Sequence, residues 1–274
     1  MKVKFTNKKL KIEFSKIISK TLAVYSFILT VVTINQIERI VILGAFVVFL
    51  AIKFLRLWYL ANKRIQKKFK INETDVIIKY GNIFEQPGVK VIAFNEYFDT
   101  QVDDRLISSN SLNGIFINQY SKGRLYIDKK INEEIGLKKN IIEENVNRIY
   151  GGKTIKYKLG SICPIDDYFI LAFSHFNDDN RAYISGEDYF SCLMHMWNEI
   201  DRYYSGRPIY ITLLGSGITR FNDIRIKPQE LLNYMLITFK ASKIKYDAKS
   251  SLTIILNEKF IDEINLYDLD LKED

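Results

Sequence analysis

The chain has little of the chemistry on which metal centres and secreted scaffolds are built: across 274 residues it holds two cysteines, Cys163 and Cys192, and two histidines, His175 and His195. Two thiols in a chain of this length exclude the disulfide framework of a small secreted domain and fit a reducing, cytosolic setting. Cys192 and His195 stand three apart with Cys163 and His175 elsewhere, so zinc has candidate ligands without the ligand spacing, and packing is the simpler reading. The pair Asp166-Asp167 and the run Asn177-Asp-Asp-Asn180 read as turns, because they lack the spacing of a cation loop. No metal site is expected. Only four prolines are present, and no Pro-rich linker, internal repeat or low-complexity block splits residues 71–274. A signal peptide is also not expected, since no small-residue cleavage site follows the first apolar run.

Acidic residues are scarce at the front. Residues 1–70 hold fifteen Lys and Arg against two acids, Glu13 and Glu38, a net of +13 that leaves −5 for residues 71–274 within the overall +8. The pI of about 9.2 therefore does not describe a basic nucleic-acid groove, which needs Lys and Arg against phosphates. No nucleic-acid partner is expected for the larger part of the chain.

Two long apolar runs occupy this basic front. Ile17 to Ile34 is interrupted only by Lys20 and some Ser and Thr, and Ile40 to Ile52 is uncharged, continuing through Lys53 and Arg56 to Leu60. A helix of 18 residues is about 27 Å long, close to a bilayer core. The second run has no polar stripe, unlike a helix on a globular surface. Lys53 and Arg56 can snorkel, and Trp58 and Tyr59 are interface residues. Both runs thus predict a transmembrane hairpin over residues 1–70. Its flanking Lys and Arg place both termini in the cytoplasm, and membrane lipid is the expected partner. Ala61 to Lys70 reads as a short basic helix on anionic headgroups or, equally, a solvated linker.

From Ile71 onward strand-length apolar runs alternate with helical patterns, which predicts an α/β domain over 71–274 on a mixed or parallel sheet. Strands are expected near Val76 to Lys79, Val89 to Phe94, Ile155 to Lys158, Phe169 to Phe173, Ile209 to Leu214 and Ser251 to Leu256. Phe190, Leu193, Met194, Trp197 and Ile200 give Glu187 to Tyr204 a helical stripe. Pro228 opens a helix that Leu231, Leu232, Met235, Leu236 and Phe239 continue. Gln101 to Tyr150 predicts short helices over the site.

The strand Ile209-Tyr-Ile-Thr-Leu-Leu-Gly-Ser-Gly-Ile-Thr-Arg-Phe221 runs into a glycine-bearing turn before a helix. Glycine lets backbone approach a ligand closely, and successive N–H groups can converge on phosphate oxygens. The same string is also that of an ordinary strand-to-helix turn. In this string a dinucleotide fingerprint is excluded by Arg220 at the place of its third glycine, a Walker loop by the absence of a Gly-Lys pair there, and a nucleophile elbow by Leu214 at the place of the first glycine before Ser216. A second polar string, Asn95-Glu-Tyr-Phe-Asp-Thr100, follows a buried strand, where open α/β sheets bind ligands. Asn95, Glu96 and Asp99 offer acceptors to ribose hydroxyls or an amine, and equally Asn95 and Asp99 cap the next element.

Gly81-Asn-Ile-Phe84, Val91-Ile-Ala-Phe-Asn95 and Leu214-Gly-Ser-Gly-Ile-Thr-Arg-Phe221 resemble, in order and spacing, three elements of macro domains. With the hairpin before them, they resemble the divergent macro domain of type II Thoeris antiphage effectors of the ThsA type over nearly the whole chain. The resemblance implies a macro-like three-layer α/β/α fold with a mixed sheet. It also implies a TIR-domain partner enzyme that makes a histidine conjugate of ADP-ribose, which this domain binds before the chain forms homo-oligomers and damages the membrane. On that mapping Asn82 and Ile83 lie near the adenine, Asn95 near the distal ribose, and Gly215, Ser216, Gly217 and Ile218 around the diphosphate, with Glu96, Asp99, Leu214 and Thr219 as further ligand-binding candidates. Arg220 and Phe221 border the distal end. Asn82 stands where an acid usually meets the adenine amine. Asp99 to Asp104 replace the usual Gly-Gly-Gly loop, with Ser111, Asn113 and Gly114 as its substitute. No resident cofactor and no catalytic residue is implied, and the alternative is a membrane-held ADP-ribosyl hydrolase with Asn95 and Asp99 positioning water.

Overall fold

A computed structural model describes residues 3–31, 35–177, 179–221, 226–247 and 250–269. The chain divides into two compact units, one of Met1–Lys67 with Asp262–Asp270, the other of Lys68–Ile261 with Leu271–Asp274.

The first unit is built on two helices, α1 (Lys8–Val31) and α2 (Gln36–Asn62). The last residues of the expected first span, 32–34, lie outside the described residues. Asn35 starts α2 by accepting from the Glu38 amide while Glu38 reaches back to the Asn35 amide, a reciprocal cap. Tyr25 stacks on Phe46 at 4.3 Å and Phe14 meets Phe54 edge-on at 4.9 Å, pairing the helices. At their foot, Val3, Leu10, Ala61 and Tyr267 form a buried cluster. Trp58 Nε1 donates to the Val3 carbonyl at 2.8 Å, and Lys9 Nζ to the Tyr267 carbonyl at 2.9 Å. Residues 262–269 therefore return to the foot of the hairpin, a contact between distant parts of the chain that local sequence pattern does not encode. Both helices are long and apolar enough to cross a membrane, with mean hydropathies of 1.3 and 2.5, and neither buries its apolar window inside the protein.

The predicted basic helix over Ala61 to Lys70 is not formed. After α2 ends at Asn62 the chain enters β1 (Gln66–Ile71), whose exposure alternates residue by residue up to buried Ile71. That period of two suits a strand and not a helix face. Asn72 and Glu73, both at positive φ (50° and 61°), reverse the chain into β2 (Thr74–Tyr80) in the manner of a two-residue hairpin loop.

The second unit continues with β3 (Val89–Asn95), the short helices α3 (Leu112–Gln119), α4 (Gly123–Glu133) and α5 (Ile135–Lys138), then β4 (Ile141–Glu143), β5 (Lys156–Tyr157), β6 (Ile162–Ile165), β7 (Tyr168–Phe176) and β8 (Ala182–Ile184). Helix α6 (Gly186–Tyr203), β9 (Ile209–Thr212), β10 (Arg220–Phe221), α7 (Pro228–Ser242) and β11 (Ser251–Leu256) complete it. The main sheet runs β1-β2-β11-β9-β3-β7-β8-β10, with β6 also on β7. Its centre is parallel: β11 pairs β2 and β9, and β3 pairs β9 and β7. Strands β6 and β8 run antiparallel to β7, so the sheet is mixed. The expected strand at Ile155 to Lys158 forms as β5 but pairs only with β4, outside the main sheet.

Central parallel strands are covered on both faces and read as continuous apolar runs. Ile170 and Ala172 of β7 join Ile92 and Phe94 of β3 beneath Phe116, Ile127, Ile131 and Leu137 of α3 to α5. Alternate residues point the other way: Phe169 meets Tyr203 and Phe173 meets Tyr189, both on α6. Helix α6 is capped by Ser185, which accepts from the Asp188 amide at 3.0 Å. Its buried stripe is Tyr189, Cys192, Leu193, Met196, Trp197 and Ile200. Phe190, placed in that stripe by the sequence pattern, is instead 40% exposed and packs on Tyr234 of α7 at its margin. Trp197 meets Phe239 at 5.1 Å and donates to Thr238 Oγ1 at 3.1 Å, locking α6 to α7. The result is a three-layer α/β/α fold.

Candidate ligand cleft

Parallel strands that end side by side leave their carboxyl-end loops facing one crevice. Here the loops after β2, β9 and β11, with the start of α3, enclose a cleft of about 800 Å³. Its wall includes Asn82 and Ile83 after β2, Leu213 to Thr219 after β9, Asn257 to Phe260 after β11, and Ser111 to Asn113 at α3. Among the described residues, Glu85, Glu258 and Lys259 supply its charged side chains.

The glycine turn is held from behind. Ser216 Oγ donates to the Leu213 carbonyl at 2.6 Å, and the Tyr189 hydroxyl donates to the Leu214 carbonyl at 3.1 Å. Gly215 has φ +80°, and a Cβ there would lie 3.0 Å from the Phe221 ring, so both conformation and space select glycine. Gly217 differs: nothing lies within 4 Å of where its Cβ would be, and its backbone stands open to the cleft. Ser111 caps α3 by accepting from the Gly114 amide at 3.2 Å. An N-terminus of this kind carries partial positive charge toward whatever fills the cleft. Asn82 lies on the wall, but its Oδ1 accepts from the Phe84 amide at 3.1 Å and its Nδ2 donates to Glu85 at 3.1 Å.

A family model described as Thoeris protein ThsA, Macro domain, matches residues 76–257. The Thoeris protein ThsA of Bacillus amyloliquefaciens (strain Y2) is 42% identical over 234 residues, which cover 84% of this chain and 77% of that protein. The chain belongs to the ThsA macro-domain family. Two mutant forms of the Oceanobacillus iheyensis macrodomain are similar at TM-scores of 0.42 and 0.41, with 12% and 13% identity, over 70% and 72% of this chain and 85% and 92% of theirs.

Within this ThsA-family domain the residues singled out from sequence fall into three groups. Asn82, Ile83, Ser111, Asn113, Leu214, Gly215, Ser216, Gly217, Ile218 and Thr219 share the cleft wall. Gly114 does not, because it packs so tightly on Ser108 that a Cβ would lie 2.1 Å from the Ser108 carbonyl oxygen. Phe221 sits behind the turn, and Arg220 lines a different pocket.

Asn95, Glu96 and Asp99 form the third group. The chain after β3 folds inward, with Phe98 at φ 50° and fully buried. Asn95 Oδ1 accepts from the Tyr97 and Asp99 amides at 3.0 and 3.2 Å, and its Nδ2 donates to Asp99 at 2.9 Å. Asp99 also accepts from Arg148 Nη1 at 2.7 Å and from the Lys153 amide at 2.7 Å. Glu96 accepts from the Phe176 amide at 3.2 Å and meets His175 Nδ1 at 2.6 Å. The hydrogen bond to Glu96 raises the His175 pKa above its ordinary value, against the opposing pull of burial. These three side chains are thus committed to protein partners and absent from the cleft wall; Asn95 caps the turn that follows it, while Glu96 and Asp99 tie that turn to distant residues.

Sequence reasoning missed Asn257 to Phe260. Ser251 to Leu256 was legible as a buried strand, and the rule that ligands gather at strand carboxyl ends would have pointed to the residues after it.

Proposed function

We propose that this domain senses an ADP-ribose-type nucleotide, with histidine-ADP-ribose the expected form, in the cleft between the glycine turn and α3. Membership of the Thoeris ThsA family makes the chain an antiphage defence effector. The observation that carries the finer reading is the convergence on one cleft of an open glycine backbone at Gly217 and a helix N-terminus at Ser111 to Asn113. Both present N–H groups to oxyanions, as a diphosphate requires. A volume of about 800 Å³ falls within the range of nucleotide-sized sites. With Asn95 and Asp99 committed to protein partners, the hydrolase alternative loses the side chains it assigns to water.

The hairpin supports membrane anchoring. Ile37, Ile40, Val41, Leu43, Val47, Val48 and Ile52 are each more than half exposed. At about 1.5–3 kcal/mol per buried large apolar side chain, leaving these seven in water forfeits on the order of 10 kcal/mol or more. That is comparable with the whole stability of a domain, so lipid is the environment that matches them. The reading places both termini and the macro domain in the cytoplasm, takes the signal from a TIR-domain partner enzyme, and has the liganded chain associate with copies of itself so that clustered hairpins breach the bilayer.

Calorimetric titration of the full-length protein in detergent with ADP-ribose and with histidine-ADP-ribose tests the sensing step. Saturable binding with the nucleotide recovered unchanged supports it, and no heat with either ligand rejects it. Crosslinking that shows the same oligomer with and without ligand rejects the association step.

A further inference from the structure

Arg181 and Arg220 line one pocket without an acid beside them among the described residues. Exposed Lys68, Lys122, Arg124, Arg202 and Arg207 each contact an acid. The guanidinium groups of Arg181 and Arg220 have no hydrogen-bond or ion-pair partner among the described residues. They stand together all the same. Arg220 is opposite Tyr183 in the parallel β8–β10 pair, and Arg181 precedes Tyr183 by two. Arg181 stands immediately before β8, so it is the cavity wall and not strand register that sets it beside Arg220.

They also line one pocket of about 430 Å³ with Asn177, Ala182 and Tyr183. Two like charges on the wall of one pocket repel, and in a domain of net −5 nothing about solubility requires them. A paired fork of guanidinium donors facing a cavity is the geometry that receives a carboxylate or a phosphate. The pocket adjoins the larger cleft along the chain, since Thr219 lines the one and Arg220 the other.

We propose that Arg181 and Arg220 form an anion site, distinct from the glycine turn, that receives a phosphate or carboxylate group carried at the far end of a nucleotide lying in the cleft. The inference rests on the nucleotide reading for the source of that group, and on the arginine pair alone for the chemistry. The site gives the domain a means of preferring ligands with an anionic group beyond the diphosphate over ADP-ribose itself.

The test compares ADP-ribose with ADP-ribose 1″-phosphate, which differ by one terminal phosphate, and adds inorganic phosphate alone, all against the full-length protein in detergent. The expected result is roughly tenfold or tighter binding of the phosphorylated probe. That ratio should fall toward one in Arg181→Gln and in Arg220→Gln, and be partly kept in Arg181→Lys. Equal affinity for the two nucleotides in the unaltered protein overturns the anion site while leaving the cleft reading intact, as does a ratio that survives both Gln substitutions. If neither nucleotide binds, the cleft reading fails, and inorganic phosphate decides the rest. Weak phosphate binding lost in Arg181→Gln then identifies a free-anion site, and phosphate binding that ignores the arginines, or none at all, removes the proposal.

Discussion

Replacing Asp99 by alanine separates a structural role from a ligand role. Its carboxylate side chain is 1% exposed and that of Arg148 7%, and they meet at 2.7 Å. Removing one partner of a buried ion pair costs about 3–5 kcal/mol, because the other charge is left without compensation. Arg148 keeps the Lys153 carbonyl at 3.0 Å, Asn180 Oδ1 at 3.0 Å and the face of Tyr97 at 4.2 Å, which points to the lower end of that range. The Lys153 amide and Asn95 Nδ2 lose their acceptor as well, adding about 1 kcal/mol each. Asp99→Ala should therefore cost roughly 5 kcal/mol. For a domain of this size that is a fall in Tm of roughly 10–20 °C, read by scanning calorimetry of the full-length protein in detergent. Adding Arg148→Met should recover part of the loss, since the uncompensated charge goes with it. A shift under about 3 °C accompanied by loss of ADP-ribose binding would mean that Asp99 touches the ligand and that the internal network is of no energetic importance.

Gly217→Val fills open space at the turn, so it should leave Tm within about 2 °C while weakening ADP-ribose binding at least tenfold by titration; unchanged affinity removes the diphosphate from the turn. Gly114→Ala, in contrast, drives a methyl into the Ser108 carbonyl and should lower Tm by several degrees in the same calorimetry, where an unshifted Tm would refute the close packing. The Glu96 bond raises the folded-state pKa of His175, so its stabilisation is complete below the unfolded value near 6.5 and is lost as pH climbs through the elevated folded value. A Tm-against-pH profile should lose that descending limb in His175→Gln, and identical profiles would remove the linkage. Burial pushes the Cys163 thiol up to about 12 and raises Cys192 as well; neither should alkylate with iodoacetamide until the fold is opened, and labelling of the native protein would contradict the packing of β6 and α6.

The parallel core was legible because its strands are buried on both faces. Val89 to Phe94, Phe169 to Phe173 and Ser251 to Leu256 are dense in apolar residues, and each lies within a strand of the main sheet. Strand β1 was not legible, because Gln-Lys-Lys-Phe-Lys-Ile carries three lysines and resembles a basic membrane-surface segment. Its only local signals are the period of two and the Asn72-Glu73 turn. Strands β8 and β10 have three and two residues, too short for any periodicity, and with them the Arg181 and Arg220 pairing was out of reach. At the cleft, glycine identified the turn because few residues tolerate the φ of Gly215. Asn95, Glu96 and Asp99 were ambiguous in the sequence because the same acceptor atoms serve a ribose or a buried arginine equally well, and the protein partners they take in the fold depend on residues far along the chain.

The foot of the hairpin also orders events during biosynthesis. Lys9 is bound to the carbonyl of a residue 258 positions later, so when the two apolar helices first leave the ribosome the partner that covers Leu10 and Ala61 has yet to be made. The nascent helix pair is therefore first made with an open base. That base closes only after the whole intervening sheet has been synthesised, which makes synthesis of the macro domain a precondition for the finished form of the helices that precede it.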